Sequence, residues 1–472
     1  MGLGMSDSGR FYDLPSREQI PLLAPSLRQE VAGETELLAL EAALAQLDLR
    51  EIEAQYPRVG APGYPPRVLL GVLIYGYSQG LRASRKLDAA CRYDVRFRFL
   101  THGLRPDFRT LCRFRRDQAE ALKRVFRQTV ALCQEIGLVF LKQVATDGSK
   151  VRANRSRRAL VEVEGAFALA LEEAEAADGE IPPEAAGAPE EECAFMKVAG
   201  EGIKPAYNAQ VAVDGAHQVI VAQDLIAAPN DQGQLAPLLA QVEENCGAAP
   251  EAALADGGYL NQDDLETVEQ QGATPYLPVP ETGVARMEWG EEEQAFRCPQ
   301  GHWLRAYRFR KGKRIYRTTR CAGCPQAAAC GVTGRAKEVH VTSDGGALRR
   351  LAGRMANGGK ELYRSRSKIV EPIFAFFKHN RGFRRFLLRG RRGAGAEWSL
   401  LCIAHNLGKW AAAWLGRLSP TSAPPLAFSQ AECRRIGSLL LRFLVSLSWH
   451  WTFALRSQLQ CDLACRSRQH QP

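Results

Sequence analysis

The 472-residue chain lacks an uninterrupted apolar run long enough to cross a membrane. A membrane-spanning helix needs about 20 consecutive apolar residues. The best candidate lies near the end of the sequence (IGSLLLRFLVSLSWHWTFAL), and it is interrupted by Arg442, serines and His450. We therefore expect no membrane span and no membrane partner.

The sequence also lacks a secretory leader and an even set of cysteines. Its first residues, MGLGMSDSGRFYDLP, contain no basic segment followed by an apolar one. The 13 cysteines are odd in number, and most stand singly in apolar surroundings, at Cys91, Cys112, Cys133 and Cys402. Isolated thiols of this kind are typical of reduced core residues, so we expect a cytoplasmic protein.

Basic charge is abundant and concentrated in two segments. The net charge is +10 and the pI is near 9.0. Residues 81–127 carry 14 Lys and Arg against 5 Asp and Glu, and residues 360–392 carry 11 against 2. Charge that serves only solubility would not need to cluster, so the pattern favours a polyanion such as double-stranded DNA as partner.

Residues 15–137 show helical periodicity and predict an all-helical N-terminal domain. Its later helices carry arginines on one face and Leu, Phe and Val on the other. Short helices with a basic face can bind in a DNA groove, as a helix-turn-helix does. We predict DNA contacts from Arg113, Arg115 and Arg116. The alternative is a helical bundle that only packs on the rest of the chain.

Two aspartates each follow a predicted buried strand. The apolar residues 138–141, with Val144 and Ala145, predict a strand with Asp147 at its end, and residues 252–255 predict another with Asp256 at its end. Between them we expect an acidic, Ala- and Pro-rich insertion at 159–201, a hairpin around Asp214 and Gly215, and a helix. For Asp147 taken alone, an Asp-Gly turn is the alternative.

A third acid, Glu371, borders the apolar stripe of a predicted helix inside the second basic segment. The predicted sheet is mixed and starts with a hairpin. Together with the two aspartates at strand ends and the later acid on a helix, it matches the ribonuclease H-like architecture. Carboxylates 109 and 115 residues apart would then converge. Three carboxylates suit two Mg²⁺ ions about 3.5–4 Å apart, which promote phosphoryl transfer, and we expect Mn²⁺ to substitute for Mg²⁺.

Residues 281–345 predict a basic, Cys-containing subdomain inserted between the two parts of the catalytic core, 138–280 and 346–415. Cys321 and Cys324 form a Cys-x2-Cys pair, which Cys298 and Cys330 would complete as a candidate structural Zn²⁺ site with irregular spacing. Zinc ligands and ordinary thiols remain open alternatives here.

Aromatic and basic residues alternate in the same subdomain, at Trp303, Tyr307, Phe309 and Tyr316. This pattern suits nucleic-acid binding, and a basic β-hairpin that packs on the core is the alternative. No function can be assigned to residues 416–472.

Several motifs resemble the DDE transposases of bacterial insertion sequences, most closely family 1182. They are ATDGSK at 145–150, YNAQVAVD at 207–214, ND-x2-QL at 230–235, ADGGY at 255–259, Tyr363-x2-Arg366-x4-Glu371-x6-Lys378, GFRRFLLRG and AHNLGK, with RASRKLDAACRYDVRFRFL and PDFRTLCRFR upstream. The resemblance covers roughly residues 15–415. It implies that Asp147, Asp256 and Glu371 are the catalytic, metal-binding triad and that Tyr363, Arg366 and Lys378 handle DNA.

Two departures from the family's pattern leave questions open. The spacing before Glu371 leaves either Arg364 or Arg366 in the arginine's role. Pro372, directly after Glu371, predicts a helix that kinks there or begins with the proline.

From these observations we expect a transposase that cleaves DNA at element ends and transfers the strand, acting as a homo-oligomer on DNA. A metal-dependent nuclease or resolvase on the same fold is one alternative. A DNA-binding regulator that has lost catalysis is another.

Overall fold

The computed structural model describes residues 25–56, 63–154, 193–279, 287–290, 292–310, 313–328, 330, 332, 334–341 and 346–416. Most of the predicted insertion at 159–201 and all but the first residue of the segment 416–472 lie outside this part of the chain. The end of that insertion is not a loop, however, because Ala194–Val198 forms a strand of the main sheet.

Helices build the described N-terminal part of the chain, as the sequence predicts. They are α1 (Leu27–Glu30), α2 (Thr35–Gln46), α3 (Arg50–Glu53), α4 (Pro66–Ser78), α5 (Ser84–Tyr93), α6 (Val95–Leu100), α7 (Phe108–Asp117) and α8 (Ala119–Glu135). Pro66 occupies the first turn of α4, where its missing N–H costs no hydrogen bond. Asp94 caps α6 by accepting a hydrogen bond from the Arg96 N–H, which splits one predicted helix into two.

The main sheet has six strands: β1 (Gln143–Arg152), β2 (Ala194–Val198), β3 (Gly202–Asp214), β4 (Ile220–Ile226), β5 (Ala252–Leu254) and β6 (Thr274–Tyr276). β3 pairs antiparallel with β4, which forms the predicted hairpin at Asp214, and it also pairs antiparallel with β1 and β2. On the other side of β1, β5 and β6 follow in parallel. The sheet is therefore mixed.

The first strand differs from its prediction. It begins at Gln143 rather than at residue 138, and it continues to Arg152, so Asp147 lies inside the strand. The Asp-Gly dipeptide does not turn, because β3 pairs with β1 from Val144 to Arg152, with Gly148 opposite Gln210. Backbone pairing across the sheet thus outweighs the local turn preference of Asp-Gly.

Five helices follow in the described chain: α9 (Leu235–Cys246), α10 (Gln262–Gln270), α11 (Gly346–Arg354), α12 (Lys360–Ala375) and α13 (Gly390–Trp414). A short 3₁₀ turn, Gly257–Tyr259, precedes α10, and π-helical segments, Met355–Gly359 and Phe376–Asn380, flank α12. The long helix α13 contacts α2, α4, α7, α8 and β4. One hydrophobic core therefore runs from the N-terminal helices to the sheet.

A second sheet forms within residues 281–345. It is antiparallel, with β7 (Glu288–Gly290), β8 (Ala295–Arg297), β9 (Trp303–Arg310), β10 (Lys313–Thr318) and β11 (Lys337–Val341) in chain order. Its own small core contains Met287, Phe296, Leu304, Tyr316 and Val339.

A buried carboxylate connects the N-terminal helices to the second basic segment. Glu397 on α13 is fully buried and accepts hydrogen bonds from the backbone N–H groups of Leu387 and Leu388. The guanidinium of Arg82 lies 3.6 Å from the same carboxylate and donates to the carbonyls of Arg385 and Gly382. Because these groups neutralise and solvate Glu397, its burial is tolerated.

Helix α12 runs through Pro372 rather than beginning there. Its first residue is Lys360, so Glu371 lies well inside it. A proline has no N–H to donate to the carbonyl four residues earlier. The side chain of Gln218, in the β3–β4 turn, donates to that carbonyl of Lys368 at 3.0 Å. The sheet thus compensates for the proline and holds the helix that carries Glu371.

His405 on α13 holds the other side of the same turn. Its Nε2 lies 2.8 Å from the carbonyl oxygen of Gln218. The pKa of His405 is lowered from 6.5 to about 4, mainly by burial and to a smaller extent by the charges of Lys409 and Arg381, while the Gln218 hydrogen bond acts in the opposite direction. The ring is therefore neutral in the folded protein at neutral pH.

We predict that His405 makes the fold sensitive to mild acid. Below pH 6.5 the unfolded chain protonates His405 while the folded chain does not, so the free energy of unfolding falls as the pH falls toward 4. At one pKa unit per 1.4 kcal/mol, His405 should account for a loss of about 2 kcal/mol between pH 7 and pH 5. Urea denaturation of wild type and His405→Gln at both pH values measures this. An equal loss in the variant would contradict the assignment.

Candidate active site

The sheet register brings Asp147 and Asp256 together. Ala145 on β1 is paired with Leu254 on β5, and each aspartate lies two residues further along its own chain. β5 ends at Leu254, and Asp256 caps the following 3₁₀ turn by accepting a hydrogen bond from the Gly258 N–H at 2.8 Å. Both carboxylates therefore lie at the same edge, past the end of the parallel pairing.

Arg366 on α12 lies between the two carboxylates. Its Nη2 is 2.9 Å from Asp147 Oδ1 and 4.0 Å from Asp256 Oδ2, and its Nε donates to the Thr146 carbonyl at 3.3 Å. The Arg366 side chain is buried, whereas Arg364 is exposed. Of the two arginines left open by the sequence, Arg366 is the one that contacts the aspartates.

The pKa of Asp147 is higher than that of an ordinary aspartate. Burial raises its pKa to about 6, and the negative charges of Asp256 and Asp231 raise it as well. The Arg366 guanidinium and the Gly148 N–H, which donates to Asp147 Oδ1 at 2.9 Å, act in the opposite direction. A cation close to Asp147 would favour its charged form.

Glu371 and Tyr363 lie on the same helix as Arg366. Partial burial is the main cause that raises the pKa of the Tyr363 phenol, and the charges of Asp256, Asp147 and Glu371 raise it too. The phenol therefore interacts electrostatically with all three acids, and Glu371 itself is exposed. In the part of the chain that is described, no three His, Cys, Asp or Glu side chains stand close enough together to hold a metal ion.

Lys378 follows α12 in the π-helical segment Phe376–Asn380 and is partly buried. Burial lowers its pKa, while the charge of Asp147 raises it. The lysine therefore lies on the Asp147 side of the site.

A fourth acid, Asp231, lies beside the first two, and the sequence analysis did not assign it to the site. It follows β4 and accepts hydrogen bonds from Lys150, Asn208 and Gln210. Its charge raises the pKa of Asp147 and that of Tyr259. The only available signal was its place in the ND-x2-QL motif, because its partners come from strands far away in the sequence.

The donor atoms at this edge suit a hard divalent cation. Asp147 and Asp256 offer carboxylate oxygens, and a guanidinium now offsets their mutual repulsion. Glu371, near the same phenol, is the third donor that the helix could add. The set fits Mg²⁺ in chemistry, with Glu371 the member that would have to approach the others.

One of the predicted DNA contacts is wrong. Arg115 is only 2% exposed, and its guanidinium donates to the Tyr77 hydroxyl, the Arg82 carbonyl and the Ser84 hydroxyl. It supports the helical core and cannot contact DNA from there. Arg113 and Arg116 on the same helix are exposed, and Arg116 forms an exposed ion pair with Asp117.

The four candidate zinc cysteines line one small cavity of the second sheet. Cys298 Sγ accepts a hydrogen bond from the His302 N–H at 3.3 Å, and Lys337 donates to the Cys330 carbonyl. Partial burial raises the pKa of Cys321. The donors are chemically suited to zinc, although the thiols as placed do not form a closed metal site.

The aromatic residues of the second sheet divide between its core and its surface. Tyr316 is buried, whereas Tyr307 and Phe309 are 52% and 69% exposed. The guanidinium groups of Arg308 and Arg317 lie 5.2 and 4.8 Å from the Tyr307 ring centre. β9 therefore presents an aromatic and basic face to solvent.

Two transposase family models match this chain. The model described as Transposase DDE domain matches residues 297–411, which include Arg366 and Glu371, and the model described as Transposase domain (DUF772) matches residues 26–117. Asp147 and Asp256 lie between the two matched segments. The matches support a transposase of the DDE type and do not distinguish family 1182. Neither the curated proteins nor the solved structures contain a match.

We predict that replacing Gly148 even by alanine lowers the stability of the fold. A Cβ there would lie 2.6 Å from Asp231 and 2.7 Å from Asn208, and closer still to Gln210. Gly257, which follows Asp256 as Gly148 follows Asp147, has no atom within 4 Å of such a Cβ. Gly148→Ala should lower the free energy of unfolding by about 1–3 kcal/mol, and Gly257→Ala by less than about 0.5 kcal/mol. Urea denaturation measures the free energy of unfolding of both variants. Equal losses in the two would show that contacts around the added Cβ at position 148 do not cause the effect.

Proposed function

We propose that this protein is a transposase that cuts DNA at the ends of its element and joins the freed end to target DNA. The observation that carries the proposal is the pair of carboxylates from β1 and β5, held together at one sheet edge with a basic helix across them. The two transposase family matches support it. The strand order β4-β3-β1-β5-β6 also supports the proposed ribonuclease H-like core.

In the first step, a water oxygen attacks the phosphorus at the element end and the bond to the 3′ oxygen breaks, leaving a 3′-hydroxyl. In the second, that hydroxyl attacks a target phosphate and the target's own 3′ oxygen leaves. Asp147, Asp256 and Glu371 would hold Mg²⁺ or Mn²⁺, which supplies positive charge to the attacking and leaving oxygens. Glu371 is exposed, and the proposal requires that it approach the aspartates when DNA and the cation bind.

The basic side chains of α12 and its continuation would position the DNA phosphate. Arg366 now neutralises the aspartates, and it can turn toward a phosphate once a cation replaces it there. Lys378 interacts electrostatically with Asp147, and Tyr363 interacts electrostatically with all three acids. These three residues would contact the DNA next to the bond that is cut.

Other basic surfaces would bind DNA further away. We assign end binding to the exposed Arg113 and Arg116 of α7, and a second contact to the aromatic and basic face of β9. Two element ends must be brought together, so we propose that the protein acts as a homo-oligomer on DNA. The family matches do not favour a nuclease or an inactive regulator over a transposase.

We predict that each of the three acids is required for catalysis. Asp147→Asn, Asp256→Asn and Glu371→Gln should each lower cleavage at least about a thousandfold, a loss of about 4 kcal/mol, because each removes a cation ligand. End binding should change little. Single-turnover cleavage of a labelled element end, with mobility shifts as control, measures both. If one variant cleaves at nearly the wild-type rate, the assignment of that residue to the catalytic site is wrong.

We predict that the two basic regions have different tasks. Lys378→Ala should lower the cleavage rate at saturating protein more than it lowers affinity. Arg113→Ala with Arg116→Ala should weaken end binding and reduce the salt slope by about one unit per lost contact, with pre-nicked ends still reacting at saturation. Mobility shifts over a salt series and cleavage at saturation separate the two.

Arg115 is left in place in this double variant because its loss would damage the helical core. Normal end binding by the double variant, together with loss of binding by Lys378→Ala, would exclude the N-terminal helices as the end-binding region.

We also propose that Cys298, Cys321, Cys324 and Cys330 bind a structural Zn²⁺. Freshly purified, reduced protein should then contain close to one zinc per chain. Cys324→Ser should release the metal and lower the melting temperature, because metal binding contributes to folding. Cys402→Ser, which removes a buried thiol of α13 outside the set, should keep its zinc. Protein without zinc by elemental analysis would leave the four cysteines as ordinary thiols.

A further inference from the structure

Asp231 is an enclosed carboxylate at the edge of the site. Its side chain is 11% exposed. One oxygen accepts hydrogen bonds from Asn208 Nδ2 and Gln210 Nε2, both at 2.6 Å, and the other from Lys150 Nζ at 3.2 Å. Both oxygens of Asp231 are therefore engaged by neighbouring side chains, whereas in the described chain the hydrogen bonds to Asp147 and Asp256 are accepted by Oδ1 of each.

The partners of Asp231 reach the backbone beside both catalytic aspartates. Asn208 and Gln210 on β3 pack against Gly148, the residue after Asp147, as closely as a residue without a Cβ allows. Gln210 Oε1 accepts a hydrogen bond from the hydroxyl of Tyr259, in the 3₁₀ turn that Asp256 caps. One carboxylate thus connects β1, β3 and the turn after β5.

The buried amide groups have few alternatives to Asp231. Asn208 and Gln210 are fully buried, and the oxygen Oδ1 of Asn208 has no hydrogen-bond partner among the described residues. Donors left unpaired in such a place cost about 1–3 kcal/mol each. Three donors face the two oxygens of Asp231. If Asp231 were replaced by asparagine, its NH₂ group would stand against at least one of these donors, and that donor would lose its acceptor.

We propose that Asp231 is a positioning residue that sets the distance between Asp147 and Asp256 through Asn208, Gln210 and Tyr259. The proposal rests on the proposed function, because that distance matters only if the two aspartates share a cation. Residues that orient metal ligands from behind typically change metal affinity by about 10- to 100-fold when they are replaced.

Direct titration of the purified full-length protein with Mn²⁺, in the absence of DNA, tests the proposal. Free Mn²⁺ is measured by electron paramagnetic resonance, and the melting temperature is recorded for each variant. Asp231→Asn should weaken Mn²⁺ binding about 10- to 100-fold. The matched control, Asp263→Asn, removes the same charge from an exposed position on α10 and should bind Mn²⁺ as wild type does.

Tyr259→Phe supplies the second arm, because it removes only the hydroxyl that joins Gln210 to the Asp256 turn. Tyr259→Phe should weaken Mn²⁺ binding less than Asp231→Asn does. If both substitutions act through Gln210, the double variant should weaken Mn²⁺ affinity by less than the product of the two single fold-changes. Wild-type affinity in Asp231→Asn, or a lower melting temperature without any change in Mn²⁺ affinity, would overturn the positioning role.

Asp147→Asn separates failure of this proposal from failure of the proposed function. If Asp147→Asn loses Mn²⁺ binding while Asp231→Asn keeps it, only the positioning role is overturned. If Asp147→Asn binds Mn²⁺ like wild type, the two aspartates do not form the cation site, and both proposals are overturned.

Discussion

The contact of Arg366 with Asp147 and Asp256 is the interaction on which the candidate site depends. Two carboxylates this close, one of them largely buried, repel each other and favour protonation unless a cation lies between them. Here the cation is the guanidinium of Arg366, a residue of α12. Under the proposed function, a divalent ion would take over this role, so the guanidinium and the ion would compete for one position between the two carboxylates.

The placement of α12 depends in turn on contacts made far from the acids. Pro372 leaves the Lys368 carbonyl without its helical partner, and the side chain of Gln218 replaces that partner. The backbone of Gln218 bonds to His405 on α13, and α13 packs against the N-terminal helices. A continuous series of packed elements therefore joins the proposed DNA-binding helices to the helix of Glu371, so the N-terminal helices help to hold that helix in place.

Two of the buried carboxylates in the described chain, Glu397 and Asp231, differ in what they hold together. Glu397 is satisfied by backbone N–H groups and Arg82, and it joins the N-terminal helices to residues 382–388. Asp231 is satisfied by side chains of two strands, beside the two aspartates of the candidate site. Both carboxylates are costly to bury, and a fully paired network makes the surrounding geometry specific.

The sequence by itself determined the helical N-terminal part, the hairpin at Asp214, and the order in which Asp147, Asp256 and Glu371 occur, because hydrophobic periodicity and turn residues act locally. It did not determine that β1 continues through Asp147-Gly148, that Arg115 is buried, or that Arg366 rather than Arg364 contacts the aspartates. Asp231 was also missed. Each of these depends on partners from distant strands and helices, and sheet register and burial are decided only when those elements pack together.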